Sequence, residues 1–217
     1  MRQERETLHY DLPEVLPLFP LSGAMLLPGG QLPLNIFEPR YLRMVDDALA
    51  DGRVIGMIQP RDPMAADNPV LYGVGCAGRL TSFNETEDGR YLITLTGIKR
   101  FKLADEITAD TPYRQAKADF SPFENDDEVD PTALLIDRDR LEKAMHDYLD
   151  AEGLKTDWEA VDEAPIQALV SSLAMGCPFA PNEKQALLEA KSANARADCL
   201  IALMEMADGE NGETILQ

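Results

Sequence analysis

Residues 16–56 read LPLFPLSGAMLLPGGQLPLNIFEPRYLRMVDDALADGRVIG, and this stretch decides the fold. Leu16, Leu18 and Leu21 form an apolar extended segment interrupted by Pro17 and Pro20. Proline lacks a backbone donor and is tolerated at sheet edges, strand starts and bulges, so the segment is expected to be irregular rather than a central strand. Pro28-Gly29-Gly30 marks a turn, after which Leu32, Leu34 and Ile36 alternate with Pro33, Asn35 and Phe37 as in a strand. Pro39 suits a first helical turn, where its missing N–H costs nothing. Tyr41, Met44, Val45, Ala48 and Leu49 then follow helical spacing and define one buried face, with Gly52 as a left-handed end.

Working outward, residues 54–58 are a short apolar strand. Residues 59–69 contain three prolines and form a loop, on which Met64 is an exposed apolar contact; Met25 is read the same way. Residues 73–78 formally match G-x-G-x-x-G, but no helix starts there to present amides to a pyrophosphate, so a strand with bending glycines is expected. Residues 81–84 and 90–95 pair as a hairpin around Glu87-Asp88-Gly89. Gly97 breaks the second strand, and Lys99, Arg100 and Lys102 in its continuation are either a contact for a peptide carboxylate or phosphate or, the preferred reading, a solvated strand face that compensates nearby acids. Ala116, Ala118 and Phe120 mark one more strand.

Residues 121–132, SPFENDDEVDPT, change the character of the chain and resemble a linker. Beyond it the pattern is helical, with faces at Leu134, Leu141, Met145, Tyr148 and Leu149, then Ile166, Leu169, Val170 and Leu173, then Leu187 and Leu188, and last Cys199, Leu200, Leu203 and Met204. The expected fold is α+β: an antiparallel β unit with one inserted helix over residues 1–122, and a helical subdomain over residues 123–217.

The chain has 217 residues and a formal net charge of −19. Residues 1–100 hold a balance of −3 and residues 101–217 one of −16. Such a surface repels phosphate backbones, so nucleic acid is not an expected partner, and the acids are read as a solvated face. No apolar run approaches the roughly 20 residues of a membrane helix, and the charged start lacks a secretory pattern, so a cytoplasmic, membrane-free protein is expected. Three widely spaced cysteines fit reduced thiols better than disulfides or zinc.

The ordered series Leu-Pro-Leu-Phe-Pro-Leu, Leu-Pro-Leu-Asn-Ile-Phe-Glu-Pro-Arg-Tyr, Gly52-Arg53-x-x-Gly56, Leu71-Tyr72-Gly73-Val74-Gly75 and Gly97-x-x-Arg100-Phe101 resembles the N-terminal, substrate-binding domain of Lon proteases. The resemblance extends over nearly the whole chain, to Glu183-Lys184-Gln185-Ala186-Leu187-Leu188-Glu189. It implies a PUA-like β pseudo-barrel followed by a helical bundle. It also implies a non-catalytic module binding unfolded or degron-bearing polypeptides, or a protease partner, as an adaptor or regulator of proteolysis.

The chemistry legible in the residues agrees with that expectation. There is no G-x-x-x-x-G-K-[ST], and no lysine stands near Ser171 or Ser172 in sequence to form a protease dyad. His9 and His146 are isolated, and no metal-ligand spacing occurs, so neither catalytic residues nor cofactors are expected. Met25, Met64 and Phe123 are the expected peptide contacts. Glu38, Pro39, Arg40 and Tyr41 have two readings: Arg40 clamps a peptide carboxylate and Tyr41 stacks on an apolar side chain, or all four build the helix entry. The second is preferred. A different class, a small-molecule or enzymatic barrel pocket, is expected only if a deep pocket with convergent polar groups exists.

Overall fold

The computed structural model describes residues 12–62 and 68–214. Six strands come first, β1 (Val15–Pro20), β2 (Gln31–Ile36), β3 (Val54–Ile58), β4 (Val74–Glu85), β5 (Tyr91–Ile107) and β6 (Gln115–Asp119), with helix α1 (Pro39–Ala50) inserted between β2 and β3. Helices α2 (Arg138–Ala151), α3 (Trp158–Glu163), α4 (Ile166–Gly176), α5 (Pro181–Glu189) and α6 (Ala193–Thr214) follow. Two short 3-10 turns, Ser121–Phe123 and Pro131–Leu135, lie between β6 and α2.

The strands form one sheet in the order β2-β5-β4-β3-β1-β6, and β5 also pairs with β6. The pairings therefore close a circuit of five strands, β5-β4-β3-β1-β6, with β2 attached outside it. The sheet is mixed, not wholly antiparallel as expected, because β1 runs parallel to β3. Nor is β1 an edge. Its first half, Val15, Leu16 and Pro17, pairs with β6, and its second half, Leu18, Phe19 and Pro20, pairs with β3. Each proline ends one run of pairings, where a missing donor costs the ladder least.

Burial follows from this closure. Leu16 and Leu18 of β1, Val54 and Ile58 of β3, Ala77 of β4, Phe101 of β5 and Ala116 of β6 form one apolar cluster, to which every strand of the circuit contributes. A larger cluster joins the other sheet face to the helices, from Tyr41, Met44 and Val45 of α1 through Leu80, Ile93 and Leu95 to Leu141, Met145, Leu187 and Leu200. This second core contains residues from both sides of position 122.

Two further expectations are corrected. Gly97 does not interrupt β5, which continues to Ile107. Its pairing with β4 shifts register beside Gly97, where Ala77 faces Lys99 and Gly78 faces Gly97, so Ile98 bulges out and the strand bends. Gly97 N–H donates to the Gly30 carbonyl at 2.8 Å, and a Cβ at this position would strike the Leu27 carbonyl. Leu134 does not open a helix: it lies in a 3-10 turn, 90% exposed, and α2 starts four residues later behind the side chain of Asp137, which accepts the Arg140 N–H at 3.0 Å. The end of α1 is as read, with Gly52 at φ 67°.

Close backbone approach at Gly97 gives a direct test. Gly97→Ala should cost about 1–3 kcal/mol in urea unfolding through overpacking. Gly176→Ala, where an added Cβ meets nothing within 4 Å, should stay within roughly 0.5 kcal/mol of the parent.

Candidate functional site

The sheet and the helices are joined by Arg100, which is only 6% exposed although its place in a basic run suggests a solvated strand face. At this point both faces of β5 are covered, Phe101 by the cluster inside the strand circuit and Arg100 by the helices, so alternation no longer sorts polar from apolar. The guanidinium makes charge-assisted bonds to Asp126, with Nη2 at 2.7 Å from Oδ1 and Nε at 2.9 Å from Oδ2. Its Nη1 donates to the carbonyls of Leu188 and Ala190 at 2.9 and 2.7 Å, capping the end of α5. The Arg100 backbone N–H also donates to Asp126 at 2.9 Å. Residues 121–132 are thus pinned, and Asp126 is not a solvated acid.

A second polar joint lies nearby. Gln59 is buried; its Oε1 accepts from the Gly23 N–H at 3.0 Å, and its Nε2 donates to the Pro181 carbonyl at 3.0 Å and to Gln185 Oε1 at 3.2 Å. Gln185 Nε2 in turn donates to the Val74 carbonyl at 3.1 Å and to Glu189 at 2.7 Å. These amides hold α5 against the start of β4, satisfying buried polar groups that would otherwise be costly.

Between these joints an open groove of about 800 Å³ is lined by Arg61, Tyr72, Val74, Lys102, Phe123, Gln185 and Glu189 among others. Backbone bonds between Arg61 and Val70, and between Tyr72 and Gln59, extend the loop after β3 as a short ladder. They place the Arg61 guanidinium 5.7 Å from the Tyr72 ring centre. On the opposite wall, Phe123 stacks under Arg100 with 4.5 Å from guanidinium carbon to ring centre. The groove thus combines aromatic faces with two cations, Arg61 and Lys102, in a strongly acidic chain.

Of the expected contacts, Phe123 is half-buried in the groove wall. Met25 is corrected: it is 2% exposed and packs in the larger core, because the three apolar residues from Met25 to Leu27 fill the space between sheet and helices. Met64 lies outside the described residues. Glu38, Pro39, Arg40 and Tyr41 stand apart from the groove. Pro39 begins α1, Arg40 pairs with Glu38 at 2.8 Å and lies 4.5 Å from the Tyr41 ring centre, and Tyr41 is buried against Phe19.

The model of the ATP-dependent protease La (LON) substrate-binding domain matches residues 15–206. The chain belongs to this family. It is 29% identical over 201 residues to Lon protease 2 of Myxococcus xanthus, covering 89% of this chain and 24% of that protein. It is 30% identical over 141 residues to Lon protease of Flavobacterium johnsoniae, covering 61% of this chain and 16% of that protein. The chain therefore spans about a quarter or less of the length of these curated relatives. Among solved structures, the Lon N-terminal domain protein from Xanthomonas campestris superposes with a TM-score of 0.60 at 25% identity, covering 87% of this chain and 97% of that one. The N-terminal domain of Mycobacterium avium complex Lon protease shares the fold at a TM-score of 0.63 and 16% identity, covering 88% and 98%.

In this Lon substrate-binding domain the remaining thiols and the described histidine lie away from the groove. Cys76, Cys177 and Cys199 are free thiols; burial pushes Cys76 far up and Cys177 up to about 11, so neither is a thiolate nucleophile at neutral pH. His146 is exposed, stacked on Trp158 at 5.4 Å with Nδ1 3.5 Å from Asp150. Among the described residues no group of three His, Cys, Asp or Glu is placed to hold a metal, and no helix is long and apolar enough to cross a membrane.

The sequence pattern does not single out Arg100, Asp126, Gln59 and Gln185, the polar joints between sheet, acidic segment and helices, of which Gln185 also lines the groove. One signal existed: in a strand flanked by Ile98 and Phe101, a basic residue two positions after a bulge is a candidate for burial. Arg100→Ala should destabilise the domain by about 3–5 kcal/mol in equilibrium unfolding, since Asp126 is left buried and uncompensated. The Arg100→Ala, Asp126→Ala double variant should cost less than the sum of the two single changes.

Proposed function

We propose that this chain is a non-catalytic recognition module that binds unfolded or degron-bearing polypeptide in the groove between β4, α5 and the 121–123 turn. The observation that carries this reading is one open groove lined by two aromatic faces, Tyr72 and Phe123, together with two cations, Arg61 and Lys102, with the Arg61 guanidinium placed over the Tyr72 ring. Membership of a substrate-binding-domain family supports it. In this reading the closed strand circuit is a PUA-like pseudo-barrel, and Glu38, Pro39, Arg40 and Tyr41 fix the entry of α1. The module acts in the cytoplasm as an adaptor or regulator that hands polypeptide to a protease, and needs no cofactor. Aromatic and arginine side chains dominate the energetics of polypeptide interfaces, and an open groove suits an extended chain better than an enclosed small molecule.

The test is binding of a denatured, fluorescently labelled polypeptide to the purified domain without ATP. Tyr72→Ala together with Arg61→Ala should weaken binding about tenfold or more, a loss of roughly 1.4 kcal/mol. Unchanged affinity in this double variant would remove the groove from the mechanism, and no binding by the parent would remove the reading.

A further inference from the structure

On the other side of Phe123 lies a second cavity of about 600 Å³, beneath the acidic segment and against α4 and the start of α6. Two buried cations reach it, Arg100 and Arg196. All three guanidinium nitrogens of Arg100 are engaged by Asp126 and by the carbonyls that end α5. Arg196 differs. It is 7% exposed, and its Nε donates to the Leu187 carbonyl at 2.9 Å. Among the described residues no other hydrogen bond and no ion pair within 4.0 Å engages its two outer nitrogens. Among the described residues no fully buried side-chain nitrogen lacks a partner, so the outer nitrogens of Arg196 retain some exposure, and Arg196 lines this cavity.

The nearby carboxylates do not fill this need. Asp126 is held by Arg100, and Asp130 accepts from the Ala193 N–H at 2.6 Å and from the N–H and hydroxyl of Thr132 at 2.8 and 2.7 Å. Both act on Arg196 only through space, while burial and the like charge of Arg100 push its pKa down to about 10. A guanidinium so placed carries a charge that its surroundings compensate incompletely.

We infer that this cavity is a binding site for a small oxyanion, phosphate- or carboxylate-type, gripped side by side through Nη1 and Nη2 of Arg196. Planar two-point recognition of paired oxygens is the geometry for which arginine is suited. Lys191, exposed at the rim, adds attraction, whereas Glu124 and Glu128 at the same rim discourage polyanions and restrict the site to small ligands. The inference is independent of polypeptide binding in the first groove.

Thermal unfolding of the intact chain with inorganic phosphate, and separately with succinate, at constant ionic strength tests the site. Either ion at about ten times its Kd should raise Tm by roughly 3–6 °C above the chloride control. The ion that acts identifies the ligand class, and Arg196→Gln should abolish the shift. In case that variant folds poorly, amide NMR titration of the wild-type chain gives a second reading, with shifts expected to cluster at residues 128–132 and 191–196. No rise above chloride for either ion overturns the site, as does a rise that survives in Arg196→Gln or shifts that map elsewhere.

Discussion

The contact between Arg100 and Asp126 is the constraint on which the arrangement depends. One guanidinium touches a strand, an acidic segment and the end of a helix, three pieces far apart in sequence. A buried ion pair contributes little net stability over an apolar replacement, but it penalises any arrangement in which one partner is buried alone. Its effect here is therefore to fix position. The acidic segment, which composition marks as a linker, becomes a wall. Phe123, fastened by the same guanidinium, separates the two cavities and lines both.

The strongly periodic parts of the chain were legible. Tyr41, Met44, Val45 and Ala48 are the buried face of α1, and the hairpin of β4 and β5 turns where residues 86–89 indicate. Local pattern failed where burial comes from two sides. Met25 stands between a Ser-Gly pair and a Pro-Gly pair, which reads as exposed turn, yet helices far along the chain cover it. Lys99 and Lys102 made Arg100 look solvated, but α5 packs over that one position. Gln59 and Gln185 are 126 positions apart, and nothing in either neighbourhood announces an amide contact. The exposed Leu134 fits a helical spacing because proline at position 131 starts a turn that does not propagate.

Net charge conceals a similar division of labour. The C-terminal half carries most of the acidic excess, and bulk composition treats those residues as one solvated face. Several have individual assignments. Asp137 and Asp157 accept from backbone amides at the starts of α2 and α3, Asp130 secures the start of α6, and Asp126 neutralises Arg100. Carboxylates at helix starts are favoured by the amides left without partners there. Acidity in this region is thus partly a record of how many short helices must begin there.

The divided pairing of β1 has a kinetic consequence. Leu16 is held against Ala116, a separation of 100 positions, and Leu18 against Gly56. During synthesis the first half of this strand emerges long before β6 exists, so the strand circuit cannot close until the chain has passed residue 119. Contacts of such separation slow folding, because the entropy of ordering the intervening chain is lost before the contact forms. Until then β1 presents Leu16 and Leu18 with one side unpaired, a sticky edge for another chain to join. Its two prolines limit how well any foreign strand can pair there.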